Sequence, residues 1–121
     1  MDKIEKRFYF PAAMLREIKT EAARLDRGIS WCVEYAWKVS RERLIAEGSE
    51  QVLPDHYRTG TTMDSRKQTL FCTPAMLREV DDAAKLLDRP LSWCVQQSWK
   101  LGLEAVKALP TARFESSQEE A

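Results

Sequence analysis

The sequence predicts a mainly helical protein with a short two-stranded antiparallel β-ribbon, built from two copies of one strand–helix–helix unit that pair within a single chain. Three observations lead to this prediction. A long internal repeat divides the chain, and each copy contains one short apolar segment followed by two stretches with helical periodicity. The composition, with 44% hydrophobic and 31% charged residues and few glycines and prolines, is that of a helix-rich globular protein.

The repeat sets the predicted domain organisation. Positions 13–38 match positions 75–100 at a constant offset of 62, and 15 of these 26 positions are identical. Two copies are too few for a solenoid, and a unit of roughly 45 residues buries too little surface to be stable alone, so we expect the copies to share one core. The predicted boundaries are a first unit at 1–46, a linker at 47–66, a second unit at 67–109 and a disordered acidic tail at 110–121.

Each copy begins with a strand. Aromatic and aliphatic residues precede Pro11 in the first copy and Pro74 in the second, a pattern typical of a strand that a proline ends. A lone strand cannot satisfy its backbone, so residues 6–10 are expected to pair antiparallel with residues 68–72. Strict alternation then directs one set of side chains toward the helices: Phe8, Phe10, Leu70 and Cys72.

Two helices follow each strand. The first is expected to end near Arg27–Gly28 in one copy and Arg89–Pro90 in the other. Ser30 and Ser92 then occupy the position where an N-cap hydroxyl would begin the second helix. The predicted core residues are Met14, Leu15, Ile18, Ala22, Leu25, Cys32, Val33, Ala36 and Trp37 in the first copy, and Met76, Leu77, Val80, Ala84, Leu87, Cys94, Val95, Ser98 and Trp99 in the second.

Composition also excludes several classes of function. No apolar run is long enough to cross a membrane and no secretory signal is present, so a cytoplasmic location is expected. The three cysteines are predicted to be reduced core thiols, and His56 stands in the linker without partners for a metal site. No catalytic set or phosphate-binding loop appears, so the chain is predicted not to be an enzyme and to need no cofactor.

The order strand, proline, helix, Asp-Arg-Gly or Asp-Arg-Pro turn, and helix opening with Ser-Trp resembles the ribbon–helix–helix superfamily of MetJ and Arc type, and is similar to small bacterial members of it. Both copies show this order of elements, so the resemblance covers most of the chain. It implies a tandem ribbon–helix–helix fold forming an intramolecular pseudo-dimer, whose ribbon enters the major groove of double-stranded DNA. It further implies a transcriptional regulator or nucleoid-associated protein, with a location at the nucleoid.

Under this resemblance the outward ribbon positions are the candidate DNA-reading residues. Arg7 and Thr69 would contact base edges, and Tyr9 and Phe71 would contact thymine methyl groups. Lys6, Arg66 and Lys67 lie beside them for phosphates, whereas Glu5 would repel phosphate. The zero net charge means that any DNA affinity must come from basic groups placed on one surface. Because the two strands differ, we expect an asymmetric target rather than a perfect palindrome.

The second helix of each copy supplies the candidate phosphate anchors: Arg27, Ser30 and Trp31, and Arg89, Ser92 and Trp93. A helix N-terminus presents several amides to a phosphate. Three alternatives stay open: the serines act only as caps, the arginines merely cover a helix end, or the two tryptophans pack on another subunit. Trp37 and Trp99 are expected in the core.

Two other functions compete with DNA binding. The outward arginine and aromatic groups would also suit a nucleotide ligand, such as a cyclic dinucleotide, that competes with DNA. A protein-interaction module of antitoxin type is the other rival, although the tail is short and lacks an apolar helix. Under the DNA-binding prediction, the pseudo-dimers could also assemble into a higher oligomer on DNA.

Overall fold

The computed structural model describes residues 2–48 and 65–112 of the chain. Within them, six elements follow one another in the order β1 (Ile4–Pro11), α1 (Ala12–Leu25), α2 (Ile29–Glu47), β2 (Ser65–Cys72), α3 (Pro74–Leu87) and α4 (Leu91–Ala108). The predicted mainly helical class with a two-stranded antiparallel sheet is confirmed. Most of the predicted linker, His56 and the tail from residue 113 lie outside the described residues.

β1 and β2 form the ribbon, pairing antiparallel with Arg7 opposite Thr69 and Phe8 opposite Gln68. Each strand has eight residues, so both extend beyond the predicted ranges of 6–10 and 68–72. The additional residues are mainly polar and carry no apolar pattern, which is why the sequence missed them. The predicted alternation is confirmed, because all four helix-facing side chains are at most 2% exposed: Phe8, Phe10, Leu70 and Cys72.

The helices close a single core beneath the ribbon, with α2 and α4 crossing at its centre. At the crossing, a Cβ atom on Gly102 would lie 2.9 Å from the Cα atom of Ala36, so the two backbones approach as closely as a glycine allows. Trp37 and Trp99 are buried as predicted. The other predicted core residues are buried too, except Leu77, which is half-buried.

The turns between the paired helices differ from the prediction. α1 and α3 end at Leu25 and Leu87, and the next residues, Asp26 and Asp88, adopt left-handed backbone angles with φ of 54° and 56°. Aspartate tolerates this conformation better than most residues, because its short side chain can bond locally to the backbone. The predicted terminators, Gly28 and Pro90, therefore do not end these helices. They stand instead at the N-cap positions of α2 and α4.

The prediction that Ser30 and Ser92 are N-caps is wrong. α2 begins at Ile29 and α4 at Leu91, one residue before each serine, and neither helix has a side-chain cap hydrogen bond. Each serine lies within the first turn of its helix, and its hydroxyl accepts a hydrogen bond from a strand amide instead. Thr73 is a side-chain cap, since it accepts from the amide of Met76 at the start of α3.

Several hydrogen bonds join the first half of the chain to the second in matched pairs. The Tyr9 amide donates to Ser92 Oγ at 2.9 Å, and the Phe71 amide donates to Ser30 Oγ at 2.8 Å. The indole of Trp37 donates to Glu79 and that of Trp99 donates to Glu17, both at 2.9 Å. In each pair of bonds, the donor of one bond and the donor of the other are 62 residues apart, and so are the two acceptors, which is the offset of the repeat.

The chain after α4 is held against α1. Arg24 donates to the carbonyl oxygens of Val106 and Leu109 and to Thr111 Oγ1, and the Ala112 amide donates back to the Arg24 carbonyl. Thr111 and Ala112, within the predicted tail, are thus hydrogen-bonded to Arg24. No apolar signal marks this segment, so the sequence did not reveal its attachment.

All three cysteines are free and buried, as predicted for core thiols. Burial raises the pKa of the Cys72 and Cys94 thiols to about 11, and burial together with the Glu21 carboxylate raises that of Cys32. Among residues 2–48 and 65–112, no helix is both long enough and apolar enough to cross a membrane.

Candidate nucleic-acid interface

We call the side of the ribbon away from the helices the outward ribbon face and define it by three successive cross-strand pairs: Glu5 with Phe71, Arg7 with Thr69, and Tyr9 with Lys67. The structure thus brings together five of the six residues predicted to contact DNA. Tyr9 and Phe71 are about half exposed, at 49% and 48%, Arg7 and Lys67 are exposed, and Thr69 is half-buried.

The charge on this face is unevenly distributed. Arg7 is at the centre, Lys67 lies beside Tyr9 at one end, and Glu5 lies beside Phe71 at the other. Glu5 and Lys67 occupy the same position of the repeat, so a carboxylate in one copy replaces an ammonium group in the other. The face consequently has a basic end and an acidic end, with a net charge of about +1.

Lys6, the sixth predicted DNA-contacting residue, belongs to the other side of the ribbon. It pairs with buried Leu70, and alternation along the strand turns it toward the helices, where it lines a cavity with Leu77 and Asp81. Its side chain is exposed at the edge of that cavity. Arg66 pairs with Phe10, and alternation along β2 turns it to the same side of the ribbon as Lys6, so it is not part of the outward ribbon face either.

The N-termini of α2 and α4 flank the two edges of the ribbon. In an antiparallel pair, alternate amides point away from the partner strand. The Tyr9 and Phe71 amides are of this kind, and the hydroxyls of Ser92 and Ser30 bind them. These bonds fasten α4 to β1 and α2 to β2. The serines bind the strands, and in the described part of the chain the N-cap residues Gly28 and Pro90 make no side-chain hydrogen bond to the first turns of these helices.

The arginines next to these N-termini lie over indole rings. The guanidinium carbon of Arg27 is 4.6 Å from the centre of the Trp31 ring, and that of Arg89 is 4.9 Å from the Trp93 ring. Both tryptophans are half-buried, so each arginine is held by a cation–π contact beside the ribbon edge. Each helix N-terminus therefore carries a positioned positive charge.

The two N-termini differ one helical turn further on. Trp31 stacks on Tyr35 with ring centres 5.5 Å apart, whereas the corresponding residue of α4 is Gln97, which is fully buried. Neither polar atom of the Gln97 side chain has a hydrogen-bond partner among residues 2–48 and 65–112. The environments of Trp31 and Trp93 are therefore not equivalent.

Sequence analysis missed one residue that supports the interface. Gln96 donates from Nε2 to the Tyr9 carbonyl oxygen at 2.6 Å and so fixes the strand edge from α4. The corresponding residue in α2 is Glu34, which cannot donate and instead pairs with Lys3 and Lys38. A half-buried glutamine within a helix carries no signal in the sequence for such a contact, because its partner is in the other half of the chain.

Comparisons with protein-family models, with curated proteins and with solved structures find no match to this chain. Within residues 2–48 and 65–112, no three His, Cys, Asp or Glu side chains are grouped closely enough to hold a metal ion. What the candidate site offers chemically is a narrow ribbon with hydrogen-bonding and aromatic groups, bordered by two helix N-termini.

Proposed function

We propose that this protein binds double-stranded DNA as a tandem ribbon–helix–helix pseudo-dimer, in which the two copies pair and insert their shared ribbon into the major groove. Its role would be that of a transcriptional regulator or a nucleoid-associated protein. The observation that carries the proposal is the arrangement of the outward ribbon face between two helix N-termini, each fastened to the ribbon edge by a serine hydroxyl.

The matched contacts support the pairing of the copies. A two-fold relation between two units requires that residue i of one contact residue j of the other and the reverse. The serine–amide bonds and the indole–carboxylate bonds both follow this rule at the repeat offset. The ribbon register follows it as well, because Arg7 and Thr69 are equivalent residues and lie opposite each other.

The dimensions and chemistry of the site suit the major groove, which admits a two-stranded ribbon. Arg7, at the centre of the face, has the fork geometry that binds the O6 and N7 atoms of guanine, an interaction giving about 1–3 kcal/mol of discrimination. The flanking helix N-termini, with Arg27 and Arg89 beside them, have the amides and charge to bind phosphates on either side. Lys67 would contribute a further phosphate contact at the basic end.

The uneven charge of the outward ribbon face predicts an asymmetric target. Lys67 attracts the phosphate backbone of DNA at the end with Tyr9, whereas Glu5 repels it at the end with Phe71. A protein with these two different ends would bind a non-palindromic site in one orientation.

The test is binding to fluorescent genomic DNA fragments at about 50 and 200 mM salt. Two to four phosphate contacts would weaken binding roughly 10- to 150-fold over this range, from the counterion-release slope for duplex DNA. The double variant Arg7→Ala, Thr69→Ala is expected to lose preference among fragments. Lys6→Ala is a charge-matched control for Arg7→Ala, because it removes one positive charge from the opposite side of the ribbon.

Loss of fragment preference in the double variant, with Lys6→Ala close to the unaltered chain, would support the proposal. Strong discrimination among fragments would indicate a site-specific regulator, and weak discrimination with broad coverage would indicate a nucleoid-associated role. No binding by the unaltered chain at the lower salt concentration would refute the proposal.

A second candidate function is binding of a nucleotide ligand, such as a cyclic dinucleotide, to the same face. The observation that favours it is the pair of half-exposed aromatic rings, Tyr9 and Phe71, on either side of Arg7. Rings at this exposure can stack on a base while the arginine binds a phosphate. Competition between the ligand and labelled DNA tests this candidate, and Tyr9→Ala should weaken it.

A further inference from the structure

A groove between α2 and α3, on the helical side of the molecule, exposes apolar side chains, and we call it the α2–α3 groove. Its apolar lining comes from Trp37, Ile45, Ala83 and Leu86, and its volume is about 270 Å³. Leu86 is 67% exposed and Ile45 is 41% exposed, so two large aliphatic side chains in the described part of the chain face solvent together. Exposed apolar groups that cluster in a groove are typical of a docking surface.

The equivalent surface in the other half of the molecule already holds a segment of chain. Leu109 and Pro110 follow α4 directly, Leu109 packs against the core, and its carbonyl oxygen accepts a hydrogen bond from Arg24 of α1 at 2.7 Å. Thr111 and Ala112 are bonded to Arg24 as well. The segment after the second helix of one copy is therefore bound to the first helix of the other copy.

The sequence contains this segment twice. Leu53–Pro54 and Leu109–Pro110 are the only two Leu-Pro pairs in the chain, and each comes after the second helix of its copy. Leu109 follows the end of α4 at once, whereas Leu53 is six residues beyond the end of α2. The repeat thus relates Leu53–Pro54 to the α2–α3 groove as it relates Leu109–Pro110 to the surface of α1.

The chain leaves α2 close enough to the groove for Leu53 to reach it. Ile45, which lines the groove, is two residues before the end of α2 at Glu47. Gly48 then has a φ of 82°, a conformation that glycine adopts readily and that ends the helical path. From Gly48 to Leu53 the chain can span at most about 17 Å, whereas Ile45 is about 5 Å from Gly48 along the helix axis.

The two halves differ in the chemistry available to hold the segment. Arg24, which holds Leu109–Pro110 through hydrogen bonds, is replaced in α3 by Leu86. The segment bound there must therefore be held by apolar side chains rather than through its carbonyl oxygens. Val52 provides such a side chain next to Leu53, where the other copy has the smaller Ala108 before its Leu-Pro pair.

The rim of the groove restricts the charge of its occupant. Glu42 and Asp82 also line the groove, so their carboxylates repel an acidic anchor and the contact has to be made by uncharged side chains. Residues 51–54, with the sequence Gln-Val-Leu-Pro, carry no charge. The nearest carboxylates, those of Glu50 and Asp55, lie on either side of this stretch.

We propose that Val52, Leu53 and Pro54 dock in the α2–α3 groove of their own molecule, with Leu53 against Ile45 and Leu86. Each second helix is then followed by a segment bound to the first helix of the other copy, through hydrogen bonds in one half and through apolar contacts in the other. The contact anchors the connection between the copies before it reaches β2. It does not depend on the proposed DNA binding, because it lies on the helices rather than on the outward ribbon face.

The experiment is labelling of the full-length Leu53→Cys variant with a chromogenic thiol reagent. The three native cysteines are buried, so the unaltered chain gives the background rate. Cysteine is a small apolar residue and keeps the character of the anchor. The new thiol should react at least about tenfold more slowly than that of Lys19→Cys, a position exposed on α1.

Substitutions in the groove test whether the groove is the source of this protection. Leu86→Gln and Ile45→Gln, each added to Leu53→Cys, should accelerate labelling by about tenfold. Val39→Gln is the matched control and should leave the rate unchanged, because Val39 is exposed on α2 but does not line the groove. Glutamine adds no charge that would alter the pKa of the thiol. Either groove variant decides if circular dichroism shows that the other is unfolded.

The dependence on protein concentration identifies which molecule supplies the segment. A contact within one molecule gives the same protection over about a hundredfold range of concentration. Protection that appears only at high concentration, as expected if a second copy fills the groove, would overturn the proposal. So would rapid labelling of Leu53→Cys in the folded protein, or slow labelling that both groove variants leave unchanged.

Discussion

Arg7 lies directly opposite Thr69 in the ribbon, and the two residues occupy the same position of the internal repeat. Equivalent residues of two paired strands meet in this way only at the centre of the pairing. The centre of the outward ribbon face therefore carries one arginine and one threonine, where two identical copies would carry the same residue twice. This difference allows a test of the proposed contact between the ribbon and DNA.

Thr69→Arg is expected to make the centre of the face symmetric. In selection from a random DNA pool, the unaltered chain should yield a non-palindromic motif with a guanine contact in one half. The variant should yield a motif with guanine in both halves and bind it about 5- to 150-fold more tightly, the range for one added bidentate contact. Enrichment of the same motif, with guanine in only one half, by both proteins would contradict the proposed base contact at the Arg7–Thr69 pair.

Ser30→Ala and Ser92→Ala should each loosen one edge of the ribbon. Each substitution removes the acceptor of one strand amide and is expected to lower the free energy of unfolding by about 0.5–1.5 kcal/mol. Hydrogen exchange distinguishes this role from helix capping. Ser30→Ala should accelerate exchange of the Phe71 amide alone, and Ser92→Ala that of the Tyr9 amide alone. Unchanged exchange at both strand amides would disprove the assignment.

Two adjacent glutamines in α4 should respond to substitution in opposite directions. Gln97 is fully buried without hydrogen-bond partners, so Gln97→Met should stabilise the protein by about 1–2 kcal/mol. Gln96 donates to the Tyr9 carbonyl, so Gln96→Met should destabilise it by about 0.5–1.5 kcal/mol. Urea unfolding of both variants measures the effects. A destabilised Gln97→Met variant would show that the buried amide makes favourable interactions in solution.

The Glu79 carboxyl should make stability depend on acid pH. Burial acts to raise its pKa, but hydrogen bonds from Trp37 and Arg41, with the charge of Arg41, outweigh it and lower the pKa below the ordinary value of 4.5. A folded-state pKa below the unfolded value stabilises the protein above about pH 4.5, and this contribution is lost as the pH falls through the folded-state pKa. The Glu79 side chain is 40% exposed, so solvent screening limits the effect to less than about 1 kcal/mol.

Arg41→Leu tests this dependence, because the second copy already has a leucine, Leu103, at the same position. The variant should lose less stability between pH 6 and pH 3 than the unaltered chain, as measured by the urea midpoint at each pH. Equal losses in the two proteins would show that the Glu79–Arg41 pair does not contribute.

Gly102 should not tolerate a larger side chain. A Cβ atom there would approach both the Cα and the carbonyl oxygen of Ala36 to 2.9 Å, and the backbone of α2 cannot move aside without disturbing the core. Gly102→Ala is expected to destabilise the protein by about 1–3 kcal/mol despite the better helix propensity of alanine. Gly28→Ala is the comparison, because nothing lies within 4 Å of a Cβ there and only the N-cap preference for glycine over alanine is lost, so a smaller effect is expected. Thermal unfolding compares them, and equal melting temperatures would contradict close crossing.

Much of the fold could be predicted because its determinants are local. The alternation around Phe8 and Phe10 fixed which side of the ribbon is buried, and the helical spacing of Ile18 and Val80 identified the core sides of α1 and α3. The turns were located within about two residues but assigned to the wrong cause. Glycine commonly follows a helix end, which is why Gly28 was predicted as the terminator. The residues that adopt the left-handed conformation are instead the aspartates that the two copies share.

The remainder depended on contacts between distant parts of the chain. Ser30 has the residue type and position of a cap, but its hydroxyl binds Phe71, which is 41 residues away. Lys6 resembled its neighbour Arg7 in charge, yet alternation placed it on the opposite side of the ribbon. Arg24 gave no signal in the sequence, because its partners follow the end of α4. Local patterns cannot predict which side chain reaches across to the other half.

The covalent connection between the two halves frees each of them to change separately. In an assembly of identical chains, every substitution appears twice, so a lysine replacing Glu5 would appear at both ends of the ribbon. Here Glu5 differs from Lys67, Tyr35 from Gln97 and Arg24 from Leu86, while the serine and indole bonds that join the halves are the same on both sides. The contacts between the halves are therefore alike in both copies while the exposed surfaces differ, so the molecule has two distinguishable sides.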